Sequence, residues 1–279
     1  MLGEWDDKHN LNATRLKYTT RRRRMDQLIY RYETHLHTKE ASACSSCWAK
    51  DYIDLYQKLG YSGIIVTDHF YHGNTCIPRD LPWSEWVDRF CLGYEHAKVE
   101  GDKKNFQVFF GWEENFNGDE YLIYGLDKEW LHRHPEMLSW NQQEQFDAVR
   151  KDGGLVVQAH PFRERDYLRE INLHPNQVDA MEVANLGNQC YMDTLAYEYC
   201  KRNGIIMTSG SDMHHAGNVS NQCFGMQFEK RLESIHDYVT AIKNLRNSTN
   251  SALNERMMIT TKDRFSSYGK TSLPINNFD

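Results

Sequence analysis

A chain of 279 residues with 40% hydrophobic and 13% aromatic side chains can bury one substantial core, and its composition calls for no second domain. The formal net charge of −6 argues against a broad nucleic-acid-binding surface, although a cation-lined pocket can still draw in an anion locally. Every apolar run falls well short of the roughly 18 residues that a membrane span needs, and seven cysteines without a secretory leader make a reducing cytoplasm the expected home.

Residues 1–24 are polar and charged and read as an N-terminal extension. The run Arg21-Arg22-Arg23-Arg24 within them is either a solvated segment or a contact for nucleic acid. A barrel domain is expected over 25–246. Its first strand lies near 28–36, followed by a helix over 48–59 in which Trp48, Tyr52, Leu55, Tyr56 and Leu59 repeat at three- and four-residue spacing, with Gly60 placed to end it. The run Gly63-Ile64-Ile65-Val66 predicts a strand over 62–67 that is covered on both faces. A helix is expected near 83–100. Strands near 106–111 and 120–125 flank Asn115-Phe116-Asn117-Gly118-Asp119, whose Asn-Gly pair predicts a hairpin with no room for a helix.

Further along, a helix over 140–152, strands over 154–159 and 179–184, a helix over 188–203 and a strand over 205–210 continue the alternation. In a last helix over 231–246, Leu232, Ile235, Val239, Ile242 and Leu245 form one stripe. From 247 to 279 the chain is rich in Asn, Ser and Thr and reads as a C-terminal extension, in which Arg256 to Thr261 has the pattern for an added strand.

Polar residues with metal-ligand chemistry stand at the carboxyl ends of these strands: His35 and His37, Asp68 and His69, Glu113, His160, and Asp212 with His214. Side chains two apart on an extended strand share a face, so His35 converges with His37 and Asp212 with His214. An isolated pair of this kind also fits two half-buried, hydrogen-bonded rings. The same placement on five strands points instead to a multinuclear metal centre, with imidazole and carboxylate donors suited to zinc, manganese or iron. Because nearly every strand contributes, a closed α/β barrel accounts for the pattern better than an open sheet with one switch point.

The motifs Thr34-His35-Leu36-His37-Thr38, Thr67-Asp68-His69, Gly111-Trp112-Glu113, Ala159-His160-Pro161-Phe162-Arg163 and Gly210-Ser211-Asp212-Met213-His214, in this order, resemble the PHP family of metal-dependent phosphoesterases, named for polymerases and histidinol phosphatases, over about residues 30 to 245. The resemblance implies a distorted seven-stranded (β/α)7 TIM-like barrel with two or three divalent ions at the strand ends. It implies one ion held by His35, His37, Glu113 and Asp212, a second by Glu113 and His160, and a third by His69 and His214. Ala43 stands where many members carry a ligand, which makes Glu40 the expected substitute. Asp119, Glu120 and Tyr121 stand where the family often has a histidine, which makes Glu120 the second substitute.

The implied chemistry is hydrolysis of a phosphate monoester of a small metabolite by a metal-bound hydroxide, with two ions about 3.5 to 4 Å apart clamping the phosphoryl group. Glu113, His160 and Asp212 are then catalytic. Arg163 is either a phosphate fork or a solvated loop arginine, and Asp68 either orients a ligand ring or closes a turn. Glu182, Asn185 and Glu114 line the site or serve the fold. Two other readings remain: a nuclease or nucleotide phosphatase of the same family, for which nucleic acid is substrate only, and a catalytically silent, metal-stabilised interaction module. Cys44-Ser45-Ser46-Cys47 has knuckle spacing but no second cysteine pair at finger spacing, so two reduced thiols near the mouth are expected.

Overall fold

The computed structural model describes residues 29–218, 224–246 and 251–278, so the Arg21 to Arg24 run lies outside the described residues. In chain order the strands are β1 (Tyr30–Glu33), β2 (Gly63–Val66), β3 (Gln107–Phe116), β4 (Asp119–Tyr124), β5 (Leu155–Gln158), β6 (Ile171–Leu173), β7 (Ala180–Asn185), β8 (Ile206–Gly210), β9 (Gly225–Phe228), β10 (Met258–Ile259) and β11 (Ile275–Asn277). The helices are α1 (Asp51–Lys58), α2 (Trp83–Phe90), α3 (Leu92–Lys103), α4 (Lys128–Arg133), α5 (Gln142–Lys151), α6 (Cys190–Asn203), α7 (Ile235–Leu245) and α8 (Ser251–Met257). Among the described residues no helix is long and apolar enough to cross a membrane.

The seven strands expected from apolar runs are present as β1, β2, β3, β4, β5, β7 and β8, and β3 and β4 form the expected antiparallel hairpin. The sheet itself has nine strands rather than seven. Its order is β10-β9-β1-β2-β3-β4-β5-β7-β8, curled into a nearly closed barrel. β9 runs antiparallel beside β1 and β10 antiparallel beside β9, and the two fill the gap towards β8. β10 has two residues, and β9, Gly225-Met226-Gln227-Phe228, is not a continuous apolar run like the equally short β2, so only the stretch around β10 had a trace in the sequence. β9 also depends on a glycine: Gly225 has φ +130°, and a Cβ there would lie 2.1 Å from the Tyr32 carbonyl oxygen.

The barrel seam is closed by side chains and short bridges. Ser209 Oγ donates to the Ile259 carbonyl at 2.7 Å and accepts the Gly225 N–H at 3.3 Å, while Thr34 Oγ1 donates to the Ser209 carbonyl at 2.6 Å. Beyond the strand ends, the His37 N–H donates to the Met213 carbonyl at 2.8 Å. Two other expectations change. The helix expected over 83–100 is broken at Cys91 into α2 and α3, whose Gly93 packs so closely that a Cβ would meet Thr38 Oγ1 at 2.3 Å. Residues 251–278 are packed on the barrel: the Asn254 side chain pairs with both the N–H and the carbonyl of Met207, and Arg264 is buried against Asp193.

Glu33, at the end of β1, is fully buried and ties β1 to β8. Its carboxylate accepts the N–H groups of Thr34, His35 and Ser211 and the Tyr56 hydroxyl, each at 2.9 Å. Burial raises its pKa against these four donors. Glu33→Ala leaves several buried donors without an acceptor and is expected to cost about 3 kcal/mol or more, whereas Glu33→Gln keeps an acceptor oxygen and costs about 1 kcal/mol. Urea unfolding at constant m-value checks this; a Glu33→Ala variant that loses less than about 1 kcal/mol would show that these hydrogen bonds do not hold the barrel.

Candidate metal centre

The sequence-predicted ligands meet at one end of the barrel. His35 and His37 lie just past β1 on an extended segment held by the Leu36–Met213 bridge and by the Leu36 N–H, which donates to Thr67 Oγ1 at 2.9 Å. His69 follows β2 and bridges in parallel register to Glu113 on β3. Glu120 begins β4, His160 follows β5, and Asp212 and His214 follow β8. His160 (φ +30°) and Asp212 (φ +53°) are two of only four non-glycine residues with positive φ among the described residues. Such backbone is costly for L-residues, and here it turns two side chains inward immediately after their strands.

Glu113 stands at the centre. Its Oε1 is 3.2 Å from His35 Nε2 and 3.1 Å from His160 Nε2, and its Oε2 is 2.7 Å from His69 Nδ1 and 3.4 Å from His37 Nε2. Asp212 Oδ1 adds contacts of 3.0 Å to His37 Nε2 and 3.5 Å to His35 Nε2, and Glu120 Oε2 is 3.5 Å from His160 Nε2. Four triads have ligand atoms within 4.8 Å of one another: His35/His37/Glu113, His35/His160/Asp212, His69/Glu113/Glu120 and His37/His69/His214.

A surrounding ring of hydrogen bonds sets the tautomers. Glu182 on β7 takes His35 Nδ1 at 3.0 Å and also accepts the His160 N–H at 3.2 Å. Gly210 leaves the room for this, because a Cβ there would sit 2.4 Å from Glu182 Oε1. Ser42 Oγ donates to Asp68 at 2.6 Å and faces His37 Nδ1 at 3.2 Å, so His37 Nδ1 is the donor of that pair. Both rings therefore turn an Nε2 lone pair inward, and the two Nε2 atoms are 3.1 Å apart. His69 Nδ1 and Glu113 Oε2, although close, form no hydrogen bond with any group. Inward lone pairs beside ionised carboxylates require added positive charge, and a donor set of imidazoles and carboxylates fits divalent ions.

Without an ion, the electrostatics put a proton in place of the lone pair on His35. Burial pushes the Glu113 and Asp212 carboxyls up, but His35 and His69 hold Glu113, and Arg163 and His35 hold Asp212, well below the usual range. Burial lowers His35, yet Glu182, Asp212 and Glu113 raise it well above an ordinary histidine. Burial, with His69 and His214 nearby, holds His37 well below. Metal ions and protons thus compete for the same nitrogens.

Two expectations change. Glu40 lies outside the cluster: its carboxylate accepts the Ala49 N–H at 3.0 Å and meets His96 Nδ1 at 3.2 Å, because capping the approach to α1 draws it away. Arg163 is neither a free phosphate fork nor a solvated loop residue. It is buried, with Nε on Asn188 at 2.6 Å, Nη2 on Asn185 at 2.6 Å and Nη1 on Asp212, so it positions Asp212. Asp68 keeps the first of its two expected roles: its carboxylate accepts from Thr38 and Ser42, and through Ser42 it orients the His37 ring. Burial raises Asp68 to about 6 against those hydrogen bonds.

Sequence reasoning missed Ser42, whose type and position carry no signal, while Cys44 is a free thiol as expected. Burial raises the Cys44 thiol, but contacts with His214 and His69 lower it to about 6. Two recesses flank the cluster. One is bordered by Glu120, His160, Arg165 and Tyr167; the other, of about 610 Å³, by Arg165, Ser211, Asp212, His214 and His215. The exposed Arg165 borders both.

No family model matches this sequence, and no curated protein matches it. Solved structures do share its fold. A two-domain protein from Bacteroides vulgatus, described as containing a predicted PHP-like metal-dependent phosphoesterase, superposes with a TM-score of 0.57 at 14% identity over 79% of this chain. This chain spans 64% of the length of that protein. A protein from Bifidobacterium adolescentis named as a candidate metal-dependent phosphoesterase aligns at 15% identity, covering 79% of this chain and 97% of its own, with a TM-score of 0.49. An amidohydrolase from Chromobacterium violaceum, solved with sulfate and no metal, aligns at 13% identity over 76% of this chain and 96% of its own, also with a TM-score of 0.49. The fold expected from the motifs is thus the fold shared with the Bacteroides vulgatus protein, which is described as containing a predicted PHP-like metal-dependent phosphoesterase.

If the cluster holds divalent ions, stripping them leaves buried like charges and lone pairs uncompensated. Chelator-treated protein is expected to melt several degrees lower, and ion added at about 100 times its Kd restores about 2.7 kcal/mol. Differential scanning calorimetry before and after reloading checks this; an unchanged midpoint would mean that no cation belongs there.

Proposed function

We propose that this chain is a metal-dependent phosphoesterase that hydrolyses the phosphate monoester of a small metabolite. The observation that carries the reading is the arrangement around Glu113, where one buried carboxylate faces four imidazoles with Asp212 and Glu120 beside them. A purely structural ion needs about four ligands, and this centre offers more, which favours chemistry over a silent interaction module. The fold shared with the Bacteroides vulgatus protein supports the same class.

His35, His37, Glu113 and Asp212 would hold one divalent ion, Glu113, Glu120 and His160 a second, and His69 with His214 a third, with zinc, manganese and iron as candidates. Bound ions of this kind supply Lewis acidity towards phosphoryl oxygens and activate water. The protein's part is to hold that arrangement still. Glu182 fixes the His35 ring, the Asp68–Ser42 pair fixes His37, and Arg163 fixes Asp212. Arg165, exposed at the junction of the two recesses, takes the phosphate-binding role first given to Arg163 and offers a planar fork to an oxygen that the cluster leaves free.

Metal analysis of protein purified without chelator, paired with hydrolysis of an aryl phosphate, tests the reading. Two or three equivalents with turnover support it; one or none, with no turnover after adding manganese, iron or zinc, overturns it. His37→Ala and Asp212→Ala are each expected to lower kcat by about 100-fold or more and to reduce metal content. Turnover at the parental rate in either variant would remove that residue from the centre. Arg165→Ala is expected to raise KM for the aryl phosphate by about tenfold with metal content unchanged, since loss of one charge-assisted contact is worth about 1.5 kcal/mol or more. An unaltered KM would exclude Arg165 from substrate binding.

A further inference from the structure

The turn after β7 does more than end a strand. The β7–β8 ladder shifts register between Glu182 and Ala184, so side-chain bonds as well as strand pairing set where the last residues of β7 stand. Asn185, fully buried, is the last of them and serves two candidate ligands at once. Its Nδ2 donates to Glu182 Oε2 at 2.7 Å, on the carboxylate that fixes the His35 ring. Its Oδ1 accepts from Arg163 Nη2 at 2.6 Å, on the guanidinium that fixes Asp212. Asn188, in the same turn, accepts from Arg163 Nε at 2.6 Å. Gly187 between them packs tightly, since a Cβ there would lie 3.1 Å from both Arg163 Nη2 and Asn185 Oδ1.

This turn is held from the last part of the chain. Arg264, 6% exposed, donates from Nη2 to the carbonyl of Asn185 and, at 2.9 Å, to that of Asn188, and from Nε to Asp193 Oδ2 at 2.6 Å. Asp193 completes the grip by accepting the Asn185 N–H at 2.8 Å and Asn188 Nδ2 at 2.7 Å. Both backbone polar groups of Asn185 are therefore tied to one ion pair. A buried ion pair is weak support for stability, because desolvation offsets its attraction. Its value here is geometric: the planar guanidinium, 5.1 Å from the centre of the Phe224 ring, reaches a carboxylate and two carbonyls together, which the compact head of a lysine does not.

We infer that Arg264 is a positioning residue of the metal centre, acting through Asp193 and the Asn185–Asn188 turn on Arg163 and Glu182, and through them on Asp212 and His35. The inference rests on the metal-centre reading above. Residues 251–278, which the sequence presents as an extension, thereby become part of the frame of the site. The side-chain relay ends on Asp212 and His35, two ligands assigned to the same ion, so its loss weakens one binding step and leaves the number of ions unchanged. Partners behind the ligands act on affinity because a ligand free to rotate must be ordered when the ion binds.

Titration of the stripped full chain with Co(II), followed by its visible d–d absorbance, tests this without recourse to turnover. Arg264→Lys keeps the buried charge beside Asp193 and is expected to bind the same number of ions, with one step weakened about tenfold and its d–d band altered. Asn254→Ala controls for packing alone, because that side chain holds the same segment to the backbone of Met207 and bonds to no member of the relay. It is expected to lower the melting midpoint and leave cobalt affinity as in the parent. Arg264→Ala adds a readout that packing does not move: guanidinium ion, well below unfolding concentrations, is expected to restore its cobalt affinity. Parental affinity in both Arg264 variants, a loss in Asn254→Ala equal to theirs, or no recovery with guanidinium overturns the positioning role and leaves the metal centre standing. No cobalt uptake by the parental chain overturns both.

Discussion

The structure is organised around a buried carboxylate that has more nitrogen neighbours than it can satisfy. Glu113 is 1% exposed and has imidazoles of His35, His37, His69 and His160 within 3.4 Å. Burying such a group is costly unless opposite charge compensates it. Protons or metal ions are the available sources, and the tautomers imposed by Glu182 and Ser42 turn lone pairs rather than N–H groups inward. The second ring of hydrogen bonds therefore does more than hold side chains in place, because it determines which positive species the cavity accepts.

That constraint explains features that otherwise look unrelated. Asp212 must present one oxygen to the imidazoles, and Arg163 occupies the other. Arg163 in turn is gripped by Asn185 and Asn188, whose N–H groups bond to Asp193, and Asp193 pairs with Arg264 from the last part of the chain. A line of alternating charge thus runs from a candidate ligand to residue 264, and it gives the C-terminal residues a reason to pack where they do. Two buried ion pairs, Asp212–Arg163 and Asp193–Arg264, are thus joined through neutral asparagines, and removing one partner of either leaves the other uncompensated.

Much of this was legible in the sequence, and the limits of legibility have physical causes. Seven strands were found because each is an apolar run ended by polar ligands, as in Gly63-Ile64-Ile65-Val66 before Thr67-Asp68-His69. β6, β9, β10 and β11 were too short for periodicity to register, apart from the trace at Arg256 to Thr261. Seven ligand residues were chosen by strand-end position and Glu120 as a substitute that the resemblance implies, and His35, His37, His69, Glu113, Glu120, His160, Asp212 and His214 do converge. Glu40 was chosen as a carboxylate near Ala43, where the resemblance implies a ligand, and Arg163 as a guanidinium just after His160-Pro161. Each found a nearer partner in the chain, because a backbone N–H or an asparagine amide gives no sign of its position in a linear sequence.

The positive φ values at His160 and Asp212 show how the fold and the site constrain each other. After a barrel strand, extended backbone would carry the next side chain along the strand axis; a left-handed residue turns it across the mouth instead. Each such residue costs on the order of 1 kcal/mol or more, and it persists only where its surroundings over-determine it. At His160 the N–H is held by Glu182 and the ring by Glu113 and Glu120. At Asp212 the flanking Ser211 N–H is held by Glu33 and the Met213 N–H by the His35 carbonyl, while Arg163 takes the carboxylate. Glycine would relieve the backbone strain at either position but would supply no ligand atom. The chain therefore keeps histidine and aspartate in a conformation that neither favours, and the buried carboxylates of Glu182 and Glu33 hold them there.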